Sequence, residues 1–266
     1  MIPAVRSELR KFFTTRLWWG MAIATFVAAG LFAVLTGVII ANPSAAGGPG
    51  GGQVIGDDTQ VANSVYTAGT AIGRLLLLTI GIVSIGGEFR HKTISATFLA
   101  TPRRARAMLA KATALVGIGV LYGLISLLGS AVAGAVTLRV IDRPAFPSTE
   151  VVRTLALSLL VLALWALIGL GIGILIPNQV AALFIGVAVA WIVEPLLGLL
   201  LGIWDFSREN VAPYLPTSAT NAAFNAISQT PDEVRLEWWG GALVLTAYAV
   251  VLAGFGIWRT VRSDVS

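Results

Sequence analysis

Uncharged apolar runs dominate the chain. They recur at lengths near the ~20 residues that cross ~30 Å of hydrocarbon as a helix. Five are clear: Trp18–Ala41, Ala112–Leu138, Thr154–Ile176, Gln179–Ile203 (interrupted by Glu194) and Trp238–Trp258. A sixth lies between Asp58 and Glu88, carries the single charge Arg74, and has its apolar body at about Val65–Gly87. The uncharged stretch from Thr154 to Val193 is too long for one helix. Pro177-Asn178 is its natural break, because proline lacks an N–H and clashes with the preceding turn. The pattern therefore predicts an all-α membrane protein of six transmembrane helices, the fourth and fifth joined by a tight hairpin.

Ahead of the first span, Ile2 to Arg16 reads as an amphipathic helix. Ile2, Val5, Leu9, Phe12 and Phe13 share one face, while Arg6, Arg10 and Lys11 spread over the rest. Such a basic, one-sided helix lies along a headgroup surface. Two roles remain open for it, a bare anchor or an elbow helix that also braces a partner. The first apolar run is longer than the ~7–15-residue core of a signal peptide, so it is expected to remain as a span. Residues 44–52, SAAGGPGGG, predict an unstructured outer loop. No sequence period points to a repeat.

Charge then sets orientation. With both termini inside, the inner segments hold Arg6, Arg10, Lys11, Arg16, Arg90, Lys92, Arg103, Arg104, Arg106, Lys111, Arg259 and Arg262, 12 of the 18 basic residues, while nine of the 13 acids fall outside. The positive-inside rule thus predicts cytoplasmic termini. Hydrophobic residues are 56% of the chain and charged ones 12%, with mean hydropathy +0.85. That excludes an ordinary soluble domain. The net charge of +5 does not argue for nucleic acid, since the basic residues sit beside the spans, where anionic lipid accounts for them. Absent cysteines and a lone histidine, His91, exclude disulfide scaffolds, thiol nucleophiles and Cys- or His-cluster metal sites.

The segment Gly87–Lys111 carries the most internal order outside the spans. Thr93–Ala100 fits two helical turns, and Thr101-Pro102 reads as an N-cap and first position of a restarted helix. Arg103, Arg104 and Arg106 then stand at the end of that helix its dipole disfavours, so an anionic surface or acidic partner explains them better. A bare topology signal is the alternative.

At this point the sequence resembles a known family. The basic N-terminal helix, the six spans, and Glu88-x-Arg90-His91-x-Thr93 followed by Leu99-Ala-Thr-Pro102-Arg103-Arg104 and Lys111 look like permease subunits of ABC-2 type transporters (type V exporter-like), with actinobacterial members especially similar. Glu194-Pro195 and Tyr214-Leu-Pro-Thr217 add to the likeness. Lys92 departs from it, since relatives often carry glycine there. The resemblance implies a bacterial plasma-membrane protein and a coupling helix docking on a separate ATP-binding-cassette ATPase through Glu88, Arg90, His91, Thr93, Thr97, Pro102, Arg103 and Arg104. It also implies a second copy of the permease or a homologous one, and a drug, lipid or other amphipathic substrate moving outward. ATP and Mg would be bound by that partner, with no cofactor and no catalytic residue on this chain. The sequence agrees that the chain does not hold the ATPase: its only lysines, Lys11, Lys92 and Lys111, follow no phosphate-cradling glycine loop.

The outer segment Trp204–Glu237 is too apolar for a plain connector, and Ser218–Ile227 suits a short re-entrant or interfacial helix. Trp18, Trp19, Trp238 and Trp239 fit interfacial belts. The two intramembrane charges, Arg74 and Glu194, fall at about 20 and 22 Å from the inner ends of their spans. Each is costly alone, so they are expected to face each other, within one protomer or across a dimer; the alternative is that Arg74 snorkels outward and Glu194 binds a neighbouring hydroxyl. Pro195 is expected to loosen the helix just beyond Glu194. A proton-coupled transporter using Glu194 is the alternative function. A membrane-embedded enzyme fares worse, for no paired intramembrane carboxylates or serine–histidine set exists.

Overall fold

A computed structural model describes residues 1–42, 56–94, 103–227 and 234–262. Among the described residues every regular element is helical. Six helical units are long and apolar enough to cross a membrane: Trp18–Ala41, Asp58–Arg90, Arg104–Val140, Thr149–Leu175, Gln179–Leu201 and Trp238–Thr260. This fits a multi-pass membrane protein. In chain order the helices are α1 (Ile2–Phe13), α2 (Leu17–Ala41), α3 (Asp58–Thr67), α4 (Thr70–Arg90), α5 (Arg104–Val140) and α6 (Thr149–Leu175). There follow α7 (Gln179–Ala188), α8 (Glu194–Leu201), α9 (Asp205–Asn210), α10 (Pro216–Phe224) and α11 (Trp238–Arg262).

The core forms where α4 packs on α6. Leu77, Leu78, Ile82 and Ile85 meet Leu162, Ala166 and Leu170, all buried. Two glycines let the backbones touch: a Cβ on Gly81 would strike the Ala166 carbonyl, and one on Gly169 the Leu78 carbonyl. Without a hydrophobic drive between helices in lipid, such close backbone approach is what holds spans together. Around this pair, α5 packs on α2 and α6, and α11 on α6. The fifth span is among the least covered, with 22% of its spanning window buried, as in the first, against 61% for the fourth.

Several boundaries differ from those the sequence suggests. The second span starts earlier, as α3, because Asp57 caps it by accepting from the Gln60 N–H at 2.7 Å. It bends at Ala68-Gly69, where Gly69 lies against the Ala29 backbone of α2. The third span is one helix of 37 residues, about 55 Å long, so Arg104, Arg106 and Lys111 belong to it rather than to a separate loop ending at 111. Its N-cap is extended Arg103. Thr101 and Pro102, read from sequence as the restart, lie outside the described residues, as do Thr97 and the 95–100 part of the expected coupling helix. The Gly/Pro-rich stretch 44–52 lies outside them too.

Asn178 caps the fifth span by accepting from the Val180 and Ala181 amides, which makes the Pro177-Asn178 hairpin. Val189–Val193 forms a π-helical turn immediately before Glu194. The expected loosening beyond Glu194 is therefore on its other side. Pro195 has no N–H to donate and its ring crowds the carbonyl four residues back, that of Trp191, so the widened turn precedes the proline. After the fifth span the short helix runs Pro216–Phe224 rather than Ser218–Ile227, ending at Asn225 in the left-handed conformation (φ 45°).

Candidate functional site: two polar clusters at opposite ends of the bundle

The first cluster joins the N-terminal helix to the ends of two spans. Glu8 and Lys11 lie one turn apart on α1, Glu88 sits in the last turn of α4, and Lys111 sits two turns into α5. Lys11 donates to Glu8 (2.6 Å) and to Glu88 (2.7 Å). Lys111, 3% exposed, donates to Glu8, to Glu88 at 3.1 Å and to the Ser84 carbonyl at 3.3 Å. Two acids and two lysines thus neutralise one another with charge-assisted bonds across three helices. Burial pushes the Glu8 carboxyl up, but Lys111 and Lys11 outweigh it and hold the group below the ordinary carboxylate range. Burial likewise works against the charge on Lys11, and the hydrogen bonds it donates to Glu8 and Glu88 overcome it, raising its pKa.

This cluster decides how α1 sits. Val5, Glu8, Leu9 and Phe12 are its half-buried side, whereas Ile2 (82% exposed) and Phe13 face outward. The apolar face read from the sequence is therefore split, one edge on the bundle and one left bare. Phe12 meets the Tyr122 ring edge-on at 6.1 Å, and the Tyr122 hydroxyl donates to the Trp18 carbonyl at 2.6 Å, which fixes the passage from α1 into α2. Phe13 packs edge-on against Trp18 at 5.7 Å. Arg6 and Arg10 are exposed.

Beyond Glu88 the chain turns sharply. Thr93 N–H bonds the Glu88 carbonyl (3.0 Å) and Lys92 N–H the Phe89 carbonyl (3.3 Å), with Lys92 at φ 55°. That is a Schellman stop with its left-handed position occupied by lysine. Glycine would take that φ > 0 without the Cβ strain that lysine bears. Arg90, His91, Thr93 and Arg103 are exposed around this turn and Arg104 is half-buried. Among the described residues expected to couple to a partner, Glu88 alone joins the Glu8–Lys11–Lys111 ion cluster.

The second cluster lies at the opposite end. Arg74 and Glu194 are 8% and 5% exposed, yet no ion pair joins them. Both instead reach Thr217, at the N-terminus of α10. Arg74 donates from Nη1 to the Thr217 hydroxyl at 3.2 Å, and Glu194 accepts the Thr217 backbone N–H. The guanidinium carbon stands 5.5 Å from the Trp165 ring centre, whose indole N–H donates to Thr220 at 3.1 Å. Direct pairing is thus replaced by a neutral intermediary. A helix N-terminus offers unpaired amides, so a carboxylate there is well placed.

Sequence reasoning did not single out Glu8 or Trp165, and it had Thr217 only within the motif Tyr214-Leu-Pro-Thr217, with no tie to Arg74 or Glu194. Glu8 had a visible signal, an acid at four-residue spacing from Phe12, bordering the apolar arc of a basic helix. Among the described residues no group of three or more metal-ligating side chains occurs. No protein-family model matches the chain, and no curated protein matches it.

Proposed function

We propose that the chain is the membrane permease subunit of an ATP-driven transporter of the ABC-2 type. In this reading it works beside a second copy of itself and exports a drug, lipid or other amphipathic substrate. A separate ATPase docks on the inner face, on the segment from Glu88 to Arg104. The observation that carries the reading is the Glu8–Lys11–Glu88–Lys111 cluster. It ties a basic amphipathic helix to both helices that flank the candidate docking segment, so a push on that segment is delivered to α1, α4 and α5 together rather than dissipated in a loop. α1 then acts as the elbow helix, with Ile2 and Phe13 toward lipid. In the proton-carrier alternative Glu194 must exchange protons with water, but its side chain is buried and already engaged by the Thr217 N–H.

The chain has no cysteine, which makes the test clean. Arg103→Cys, carrying a short photo-cross-linker in native membranes, is expected to capture a polypeptide that azido-ATP also labels, while the chain itself stays unlabelled. Labelling of the chain by azido-ATP, or capture only of polypeptides that bind no nucleotide, contradicts the proposal. Full transport by Glu194→Gln, with its proton dependence unchanged, removes the alternative.

A further inference from the structure

A cavity of about 410 Å³ opens between α1, α4 and α5, within the range of small-molecule sites. Its lining changes character along one direction. Lys11, Glu88 and His91 stand at the end where α4 stops. The apolar wall begins within about 4–8 Å of the charges, at Ala114 and Val83, and reaches about 10–12 Å from them at Ile80 on α4 and Ile118 on α5. That gradient runs along the spans, headgroup side to hydrocarbon side. A soluble ligand has no use for it; an amphiphile does.

The donors at the mouth narrow the class. Lys111 spends its three N–H groups on Glu8, Glu88 and Ser84. Lys11 spends two, on Glu8 and Glu88, and has one left on a half-exposed side chain. His91 adds an exposed imidazole beside it. Each carboxylate is paired with both lysines, so the cluster carries no net charge to repel an anion. We infer that this cavity is a phospholipid site, holding the phosphodiester of one bilayer lipid at Lys11 and His91 and the upper part of one acyl chain against Val83, Ala114 and Ile118. The inference rests on the membrane reading of the chain but on no ATPase partner. The bound lipid would wedge α1 against the bundle at the ion cluster, which gives the cavity a part in setting the elbow's position.

The test uses the full chain in nanodiscs of phosphatidylcholine with a minority of phosphatidylglycerol, transferred to detergent and weighed by native mass spectrometry. The expected result is one phospholipid retained per chain. Ala114→Trp and Val83→Trp, which fill the cavity from different helices, should lose it, and Leu128→Trp, on an exposed face, should keep it. His91→Ala leaves the cluster intact and should release the lipid about tenfold faster, the value of one charge-assisted bond. Unchanged retention in both filling variants, or in His91→Ala, overturns the assignment. So does displacement by glycerol phosphate alone, which would show a site for the head without the tail. Since the readout involves no nucleotide and no partner, it stands or falls separately from the coupling experiment.

Discussion

The two polar clusters solve the same problem, charge buried near apolar spans, in opposite ways. Around Lys111, four charged side chains from three helices bond directly, and each carboxylate meets two lysines. Around Arg74, opposite charges of two spans never meet, and a single threonine on a nine-residue helix stands between them. Direct multidentate pairing leaves little freedom, because losing one bond leaves others in place. A one-residue intermediary fails as soon as Thr217 shifts. The fifth span, largely bare and carrying a π turn just before Glu194, is the element able to make that shift. α4 bears both Arg74 and Glu88, about 21 Å apart on one helix, so the firm end and the yielding end share a rod.

The largest effect should come from breaking the firm end. Lys111→Met removes a buried partner of two carboxylates and is expected to cost about 3–5 kcal/mol, read as loss of folded protein in detergent thermal unfolding. A loss below about 1 kcal/mol would mean that the cluster is wet and soft. Thr217→Val takes away the hydroxyl acceptor of Arg74 while keeping the amide for Glu194. About 1.5–3 kcal/mol is expected, the cost of a lost bond to a charged group in a buried place. If both substitutions cost the same, the distinction between the ends collapses.

Proton concentration separates the ends further. Glu8 has a depressed pKa, so its contribution is complete above the ordinary carboxylate value and lost as pH falls through the lower folded value. Lys11 has a raised one, so its contribution is complete below the ordinary lysine value and lost as pH rises through the higher folded value. The melting temperature should hold a plateau between roughly pH 5 and 10 and fall on either side, with Glu8→Gln flattening the acid limb. An acid limb unchanged by Glu8→Gln would detach the cluster from stability. Smallest of all, Lys92→Gly should stabilise by about 0.5–1 kcal/mol through relief of the left-handed lysine, measured by the same unfolding curves.

Much of this arrangement was legible in the sequence, for reasons that can be named. Six apolar runs and the Pro177-Asn178 break gave the spans, because hydrocarbon thickness fixes helix length and proline stops a helix. Boundaries shifted where capping and propensity act beyond the apolar run: Asp57 starts the second span early, and Arg104 to Lys111 continue the third because nothing there interrupts a helix. Arg74 and Glu194 were related to one another from depth alone, but depth does not fix rotation about each helix, so the place of Thr217 between them could not be read from its motif. The same gap hid Glu8, whose apolar neighbours on α1 suggested lipid when half of that face packs on protein.

The comparison is tested most directly by distances at the two ends in one protein. With no native cysteine to remove, spin labels at Ser7 and Thr113 report α1 against α5, and labels at Leu200 and Glu237 report the tip of the fifth span against the start of α11; Ser7, Thr113, Leu200 and Glu237 are all exposed. Pulsed dipolar spectroscopy in nanodiscs should give a narrow distribution for the first pair and a broader or two-peaked one for the second, which Thr217→Val widens further without touching the first. Two equally narrow distributions, both unmoved by Thr217→Val, would contradict the account.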